Sequence, residues 1–409
     1  MRILWTVNTL MPEVANRLGI KGSHAISWVE AMSTRLRNNP DIILAIASPG
    51  NVDKLVVQKI DNIFFYVFPN IDKDFWGEII EDFCPDLIHA YGTEQKHNYY
   101  LVKYHKEIPT IVSLQGILTE YQHHYYAGID FSDMIKYISI KSWFLKDGFF
   151  SGRRDFIKRS IIEQNILKEV KYVEGRSTWD RVSALRINPN LQYHYCPRLI
   201  RSPFYGANWT VNKMEPHSIF VHQGNYPIKG LHFVFKAISQ LRNEYPGIKL
   251  YIAGNAYFQP KTLKQKLLQN GYIKYLNQLI KELDISSNIF FTGYLSPKEL
   301  ANKLEQVNVV IIPSSIENAP NSLAEAQLVG TPCIASFVGG NMDMMDHKKD
   351  GFLYCYNEPN MLAEYIRQIF ESENLANKIS ENAKVTALKR HNPEFLEKRL
   401  LEIYHNLLN

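Results

Sequence analysis

The sequence predicts an α/β protein built as two successive doubly wound units. Three observations carry that expectation. The chain has 409 residues, too many for one ordinary domain and suited to two. Short apolar runs alternate with amphipathic segments along most of it, and the runs lack the polar alternation of a half-exposed sheet, as expected for parallel strands covered on both faces. The alternation also stops at a polar, proline-containing stretch near residues 202–217 and then starts again.

In the first half, "RILWTVN", "IILAIAS", "IFFYVFP", "DLIHAYG", "PTIVSLQG" and "VKYVEG" read as buried strands. "SHAISWVEAMSTRL", "DFWGEIIEDF" and "STWDRVSAL" read as the helices between them. In the second half the strands are "IFVHQG", "IKLYIAG", "NIFFTG", "VNVVIIPS" and "PCIASF", with helices near 230–243, 261–284, 297–305 and 322–329. The expected domains are 1–205 and 215–390, with the amphipathic helix 393–409 free to pack back on the first.

Composition bounds the function. Apolar residues make up 45% and charged residues 21%, enough for two cores and against global disorder. A net charge of +5 over this length does not mark a nucleic-acid binder. Cys84, Cys196, Cys333 and Cys355 form no CxxC pair, which argues against zinc ribbons, redox motifs and disulfide frameworks and fits a reducing compartment. The first residues read as a buried strand and lack the apolar length of a signal peptide. No run approaches the roughly 20 apolar residues of a membrane span. The expected location is therefore cytoplasmic.

One segment breaks the alternation. Residues 134–160 carry Lys136, Lys141, Lys146, Arg153, Arg154, Lys158 and Arg159 among bulky aromatics, against Asp147 and Asp155. Such a stretch suits the surface of an anionic membrane, giving a peripheral contact on its inner face. It suits a helical insertion that buries its aromatics equally well.

Several residues could carry chemistry. Gly19 and Gly22 precede a helix for which Ser23 is the expected N-cap, an arrangement that serves a phosphate or a plain turn. Lys229-Gly230 follows a strand at the start of a helix, an unfavourable place for a cation unless an anion joins it. In "SSIENAPNSLAEAQLVG", Glu317 lies just past a buried strand and Glu325 follows it after seven intervening residues. Ser322 to Glu325 spells a capping box, which would explain Glu325 without a ligand. Glu317 has no such explanation. It sits beside amides of Asn321, Ser322 and Leu323 that could hold a phosphate, and a sugar between the two would reconcile them. His89, at a strand end, could contact a ligand or be a satisfied core histidine. Asp72-Lys73-Asp74 and His123-His124 read as solvated or packing residues, so no metal site is expected.

This stretch resembles the E-x7-E signature of retaining glycosyltransferases of the GT-B fold, family 4, and is most similar to bacterial capsule, exopolysaccharide and lipopolysaccharide transferases. "DLIHAYG", "TIVSLQG", Lys229-Gly230, "FTGYLSPKEL" and "DGFLY" extend the resemblance over nearly the whole chain. It implies two Rossmann-like domains facing each other across a cleft. It also implies transfer of a sugar from a nucleotide diphosphate sugar to a saccharide or lipid-linked acceptor, with no cofactor and no metal. On that basis Glu317 would contact the donor sugar, and Glu325 the ribose, with Tyr294 and Leu295 near the base. Lys229, the amides of Ser322 and Leu323 and that of Gly22 would stabilise the leaving diphosphate. Gln115 stands where the family often has histidine facing the donor. Gln223, Gly224 and Asn225 stand where it usually has arginine, with Asn225 on the donor side, and His89 would lie on the acceptor side. A nucleotide-sugar epimerase of similar fold, or a non-catalytic partner of a transferase, are the alternative functions.

Overall fold

The structure, a computed structural model, describes residues 1–22, 27–138, 148–254, 260, 262 and 269–409. The expected N-cap Ser23 lies outside them, as do Lys141, Lys146, Asp147 and much of the first part of the helix expected at 261–284. The chain divides into two compact units. The first comprises Met1–Glu120, Ile157–Arg201 and His391–Asn409, and the second Tyr121–Phe156 and Ser202–Arg390.

Among the described residues the first unit holds eight strands: β1 (Arg2–Thr6), β2 (Ile43–Gly50), β3 (Val56–Ile60), β4 (Ile63–Pro69), β5 (Leu87–Tyr91), β6 (Thr110–Ser113), β7 (Tyr172–Gly175) and β8 (Gln192–Tyr195). Their order across the sheet is β3-β4-β2-β1-β5-β6-β7-β8. All neighbours are parallel except β3 with β4, which form a hairpin at the edge. β5 is buried at every residue, the pattern of a strand covered on both faces. Leu4, Ile88, Val112 and Val173, from four of the strands, meet Trp76, Ile79 and Phe83 of the helix Trp76–Phe83 in one core. The terminal helix Pro393–Leu408 belongs to this unit and buries Tyr404 against Trp5, whose indole N–H donates to the Tyr404 hydroxyl at 2.9 Å. A helix, Pro12–Leu18, occupies part of what reads in sequence as one long loop. Proline opens it and Gly19, at φ +66°, closes it.

The second unit holds β9 (Glu215–Val221), β10 (Lys249–Ala253), β11 (Ile289–Gly293), β12 (Val307–Ile312), β13 (Cys333–Ser336) and β14 (Phe352–Tyr354). Their order is β11-β10-β9-β12-β13-β14, all parallel. In chain order this is third, second, first, fourth, fifth, sixth, the arrangement of a Rossmann sheet. The order reverses between β9 and β12, so loops leaving these two strands diverge above and below the sheet and leave room for a ligand at their carboxyl ends.

The sequence suggests a contiguous division near residue 205, but residues 121–156 group with the second unit. Specific bonds explain why. The Ser315 hydroxyl donates to the His124 carbonyl at 2.9 Å, and His232 Nε2 donates to the Ala127 carbonyl at 3.0 Å. Phe149 and Tyr137 pack on Tyr272 and Tyr275, respectively. His232 is buried, and burial pushes its pKa down to about 3, so it stays neutral with Nδ1 free to accept from the Tyr272 hydroxyl at 3.0 Å.

Candidate functional site

Lys229 and Glu317 meet at the switch point of the second sheet. Lys229 ends the short turn Pro227–Lys229 after β9, and Glu317 follows β12, the neighbouring strand. Gly230 then sits at φ +65°, and a Cβ placed there would stand 2.0 Å from the Pro313 carbonyl oxygen. Only glycine lets the two loops approach this closely. The Ser315 amide donates to the Ile228 carbonyl at 2.8 Å and fixes their register. From the far side, the loop after β13 holds the backbone of Glu317. The Gly340 amide donates to its carbonyl at 3.0 Å, and Gly339 lies too close to that oxygen to carry a side chain.

Within this frame the Lys229 ammonium donates to Glu317 Oε1 at 2.5 Å, and the Ser314 hydroxyl donates to the same oxygen at 2.7 Å. The side chains of Lys229 and Glu317 are 16% and 10% exposed, so the pair is largely removed from water. Burial works against the ammonium, but the Glu317 carboxylate and then Tyr226 outweigh it and lift its pKa above the ordinary lysine range. This corrects the sequence reading, in which Glu317 lacked any partner until a sugar arrived. Its partner is the lysine assigned to a different task.

Glu325 reverses in the other direction. The helix after Glu317 is Asn321–Val329, its N-cap is Pro320, and no side chain caps it. Ser322 therefore lies inside the first turn, and the expected capping box is not made. Glu325 is 4% exposed on the second turn. Of the three amides expected to face an anion, that of Leu323 is spent on the Pro320 carbonyl at 3.1 Å. Those of Asn321 and Ser322 stand at the open end of the helix, which has no carbonyl of its own to receive them. Gly330 at φ +86° closes the helix.

The remaining second-unit candidates are more open. Tyr294 is 69% exposed after the edge strand β11, with Leu295 partly buried beside it. Asn225 is exposed in the loop after β9.

In the first unit, Gly22 has a packing reason. A Cβ there would lie 2.8 Å from that of Ala15 and 2.9 Å from Pro12 Cα, so the chain folds tightly over the first helix. Gln115 follows β6, and its carbonyl accepts from Arg176 Nη2 at 2.7 Å. Its side-chain Nε2 is buried with no partner among the described residues, an unfilled donor at the carboxyl edge of the sheet. His89 is fully buried. Nδ1 lies 2.7 Å from the Tyr404 hydroxyl and Nε2 lies 3.1 Å from Glu174 Oε2. Both nitrogens are occupied, so the histidine is a core residue and not an acceptor contact. The sequence reading put it at a strand end, but it is the middle residue of β5, and Tyr404 covers it from a helix more than 300 residues away in sequence. Asp72 is held by Lys96 and the Tyr100 hydroxyl, as befits a surface residue.

Sequence reasoning missed Ser314, which orients Glu317, and Gly339-Gly340, which hold its backbone. The signals were a hydroxyl at a strand end and a glycine pair just past another.

Residues 204–386 match the family model described as glycosyl transferases group 1. That region is a group 1 glycosyltransferase domain. D-inositol 3-phosphate glycosyltransferase of Corynebacterium urealyticum is 27% identical over 186 residues, covering 44% of this chain and 41% of the relative. The chain thus spans less than half the length of that relative. Among solved structures, sucrose-phosphate synthase of Thermosynechococcus elongatus superposes with a TM-score of 0.72 at 15% identity, covering 100% of this chain and 99% of the other. HepE of Anabaena, solved with UDP-glucose, gives 0.69 at 15% identity, covering 99% and 100%. At these identities the likeness establishes the fold, which is GT-B.

Proposed function

We propose that the protein transfers a sugar, with retention of configuration, from a nucleoside diphosphate sugar to a saccharide or lipid-linked acceptor in cell-surface polysaccharide synthesis. The observation that carries this reading is the Lys229–Glu317 pair at the switch point of a Rossmann sheet, beside the open N-terminus of Asn321–Val329. The HepE complex with UDP-glucose supports the donor class.

A diphosphate entering there brings more negative charge than Glu317 offers, so the Lys229 ammonium turns to it, joined by the Asn321 and Ser322 amides. Glu317 is released to accept hydrogen bonds from the donor sugar, still oriented by Ser314. As the bond from the anomeric carbon to phosphate breaks, charge grows on the leaving oxygen, where this cation and these dipoles already point. The acceptor hydroxyl attacks the same face and gives its proton to the departing phosphate. Lys229 supplies the counter-charge, so the step requires neither a metal ion nor a covalent nucleophile. Glu325 and Tyr294 would hold ribose and base, with Leu295, Asn225, Gln115 and Gly22 lining the donor. The protein would work in the cytoplasm, against the inner face of the membrane through 134–160.

The test is transfer from UDP-, GDP- and dTDP-sugars to acceptor extracts, read by mass spectrometry. Lys229→Gln combined with Glu317→Gln keeps a neutral hydrogen-bonding pair and should lower transfer by about 100-fold or more. Wild-type transfer by this double variant would refute the assignment. Isomerised nucleotide sugar from donor alone would establish the epimerase alternative instead.

A further inference from the structure

The first unit contains a guanidinium, that of Arg198, with two donors that no group among the described residues satisfies. Arg198 follows β8, at the carboxyl edge of the parallel strands where open α/β sheets bind ligands. Its guanidinium lies 3.7 Å over the ring of Trp28, which itself packs edge-on against Tyr91. The planar group is thereby fixed in position. Yet Nε and Nη2 are both buried without a hydrogen-bond partner among the described residues. The neighbouring charges do not resolve this. Arg176, just after β7, is a second cation. Burial first, and then Arg176, press the Arg198 pKa well below the ordinary arginine range, against Glu174, Tyr91 and Asp180.

The nearby carboxylates are occupied. Glu174 is bonded to His89, and Ser113 and Cys196 also hydrogen-bond to it. Asp180 is committed to capping, receiving the Arg176 and Ser177 amides and the Tyr193 hydroxyl. A guanidinium cannot shed its charge at working pH, and leaving two of its nitrogens desolvated without an acceptor opposes folding. Stacking on one indole returns only part of that cost. An oxyanion would meet every term at once: it fits the guanidinium fork, neutralises the like-charged pair and takes up the orphan donors.

We propose that the first unit holds an anion site in which Arg198, stacked on Trp28 beside Arg176, receives a phosphate or carboxylate group of a small-molecule ligand. Under the function proposed above the group belongs to the acceptor, but the site stands without that reading.

The experiment is thermal unfolding of the full chain in anion-poor buffer, with inorganic phosphate or glucuronate added. All variants carry Lys229→Gln and Glu317→Gln, so that anion binding at the second unit's lysine does not contribute and failure of the transferase reading leaves the outcome intact. The parent should gain about 2 °C or more, saturably, by about 20 mM of one anion or both. The anion that works identifies a phosphorylated or an acidic-sugar ligand. Arg198→Met keeps the bulk over Trp28 and removes the charge. It should abolish the gain while melting no lower than its parent without anion. A retained gain in Arg198→Met, no saturable gain with either anion, or a fall of about 5 °C or more in anion-free Arg198→Met would each overturn the proposal.

Discussion

Replacing Glu317 with glutamine leaves the Lys229 ammonium buried without its counter-charge. Glutamine keeps an oxygen for the Ser314 hydroxyl and for Lys229, so packing and hydrogen-bond count change little and the loss is electrostatic. Removing one partner of a buried ion pair costs about 3–5 kcal/mol. With 16% and 10% of the two side chains still exposed, the lower end applies, about 3 kcal/mol. Lys229→Gln should cost a similar amount, because it strands the carboxylate. The double variant restores an uncharged pair and should recover about 2 kcal/mol or more of the summed loss. A chain of two units does not unfold in one step, so the measurement must be local. Amide exchange followed by mass spectrometry in peptides spanning β9 and β12 supplies this. Three kcal/mol corresponds to exchange about 150-fold faster in each single variant, with the double variant slower than either. Single variants within about fivefold of wild type would refute the claim that this pair anchors the second unit.

Two further outcomes are expected. His232 is neutral when folded, with a pKa of about 3, and gains a proton once unfolded. The native state therefore binds fewer protons below pH 6, and stability should fall by up to about 1.4 kcal/mol per pH unit as pH drops. His232→Gln should flatten that acid-side fall in melting experiments between pH 7 and 4.5, and an identical fall in both proteins would argue against it. Phe131, Ile135, Ile138 and Phe150 are exposed in the segment that also carries Lys136 and Arg154. Sedimentation with anionic vesicles should recover the protein at low salt and lose it at high salt or after Phe131→Ser with Lys136→Glu. Equal recovery with uncharged vesicles would remove the membrane role.

The two sheets were legible because parallel strands buried on both faces leave continuous apolar runs, and β5 and β12 are the clearest of these. β3 and β8 escaped notice because edge strands are amphipathic or polar: Val56–Ile60 alternates, and Gln192–Tyr195 is half-exposed. β14, at three residues, is too short to show a period. At the site, Lys229 and Glu317 could each be picked out, but not their pairing. They are 88 residues apart, and only the order β9-β12 brings them together. Glu325 misled through a local pattern: the helix is capped at Pro320, two residues before the serine that spells the box. His89 misled through a distant one, the C-terminal tyrosine that covers it.

The grouping of Tyr121–Phe156 with the second unit bears on how such chains can be recombined. A gene cut near residue 202 does not separate two modules, because the downstream half leaves behind the segment that receives His232 and Ser315. Grafting residues 204–386 onto another chain would set those two side chains against a foreign loop. A workable exchange would have to carry both stretches together, so in this protein heredity and architecture draw their boundaries in different places.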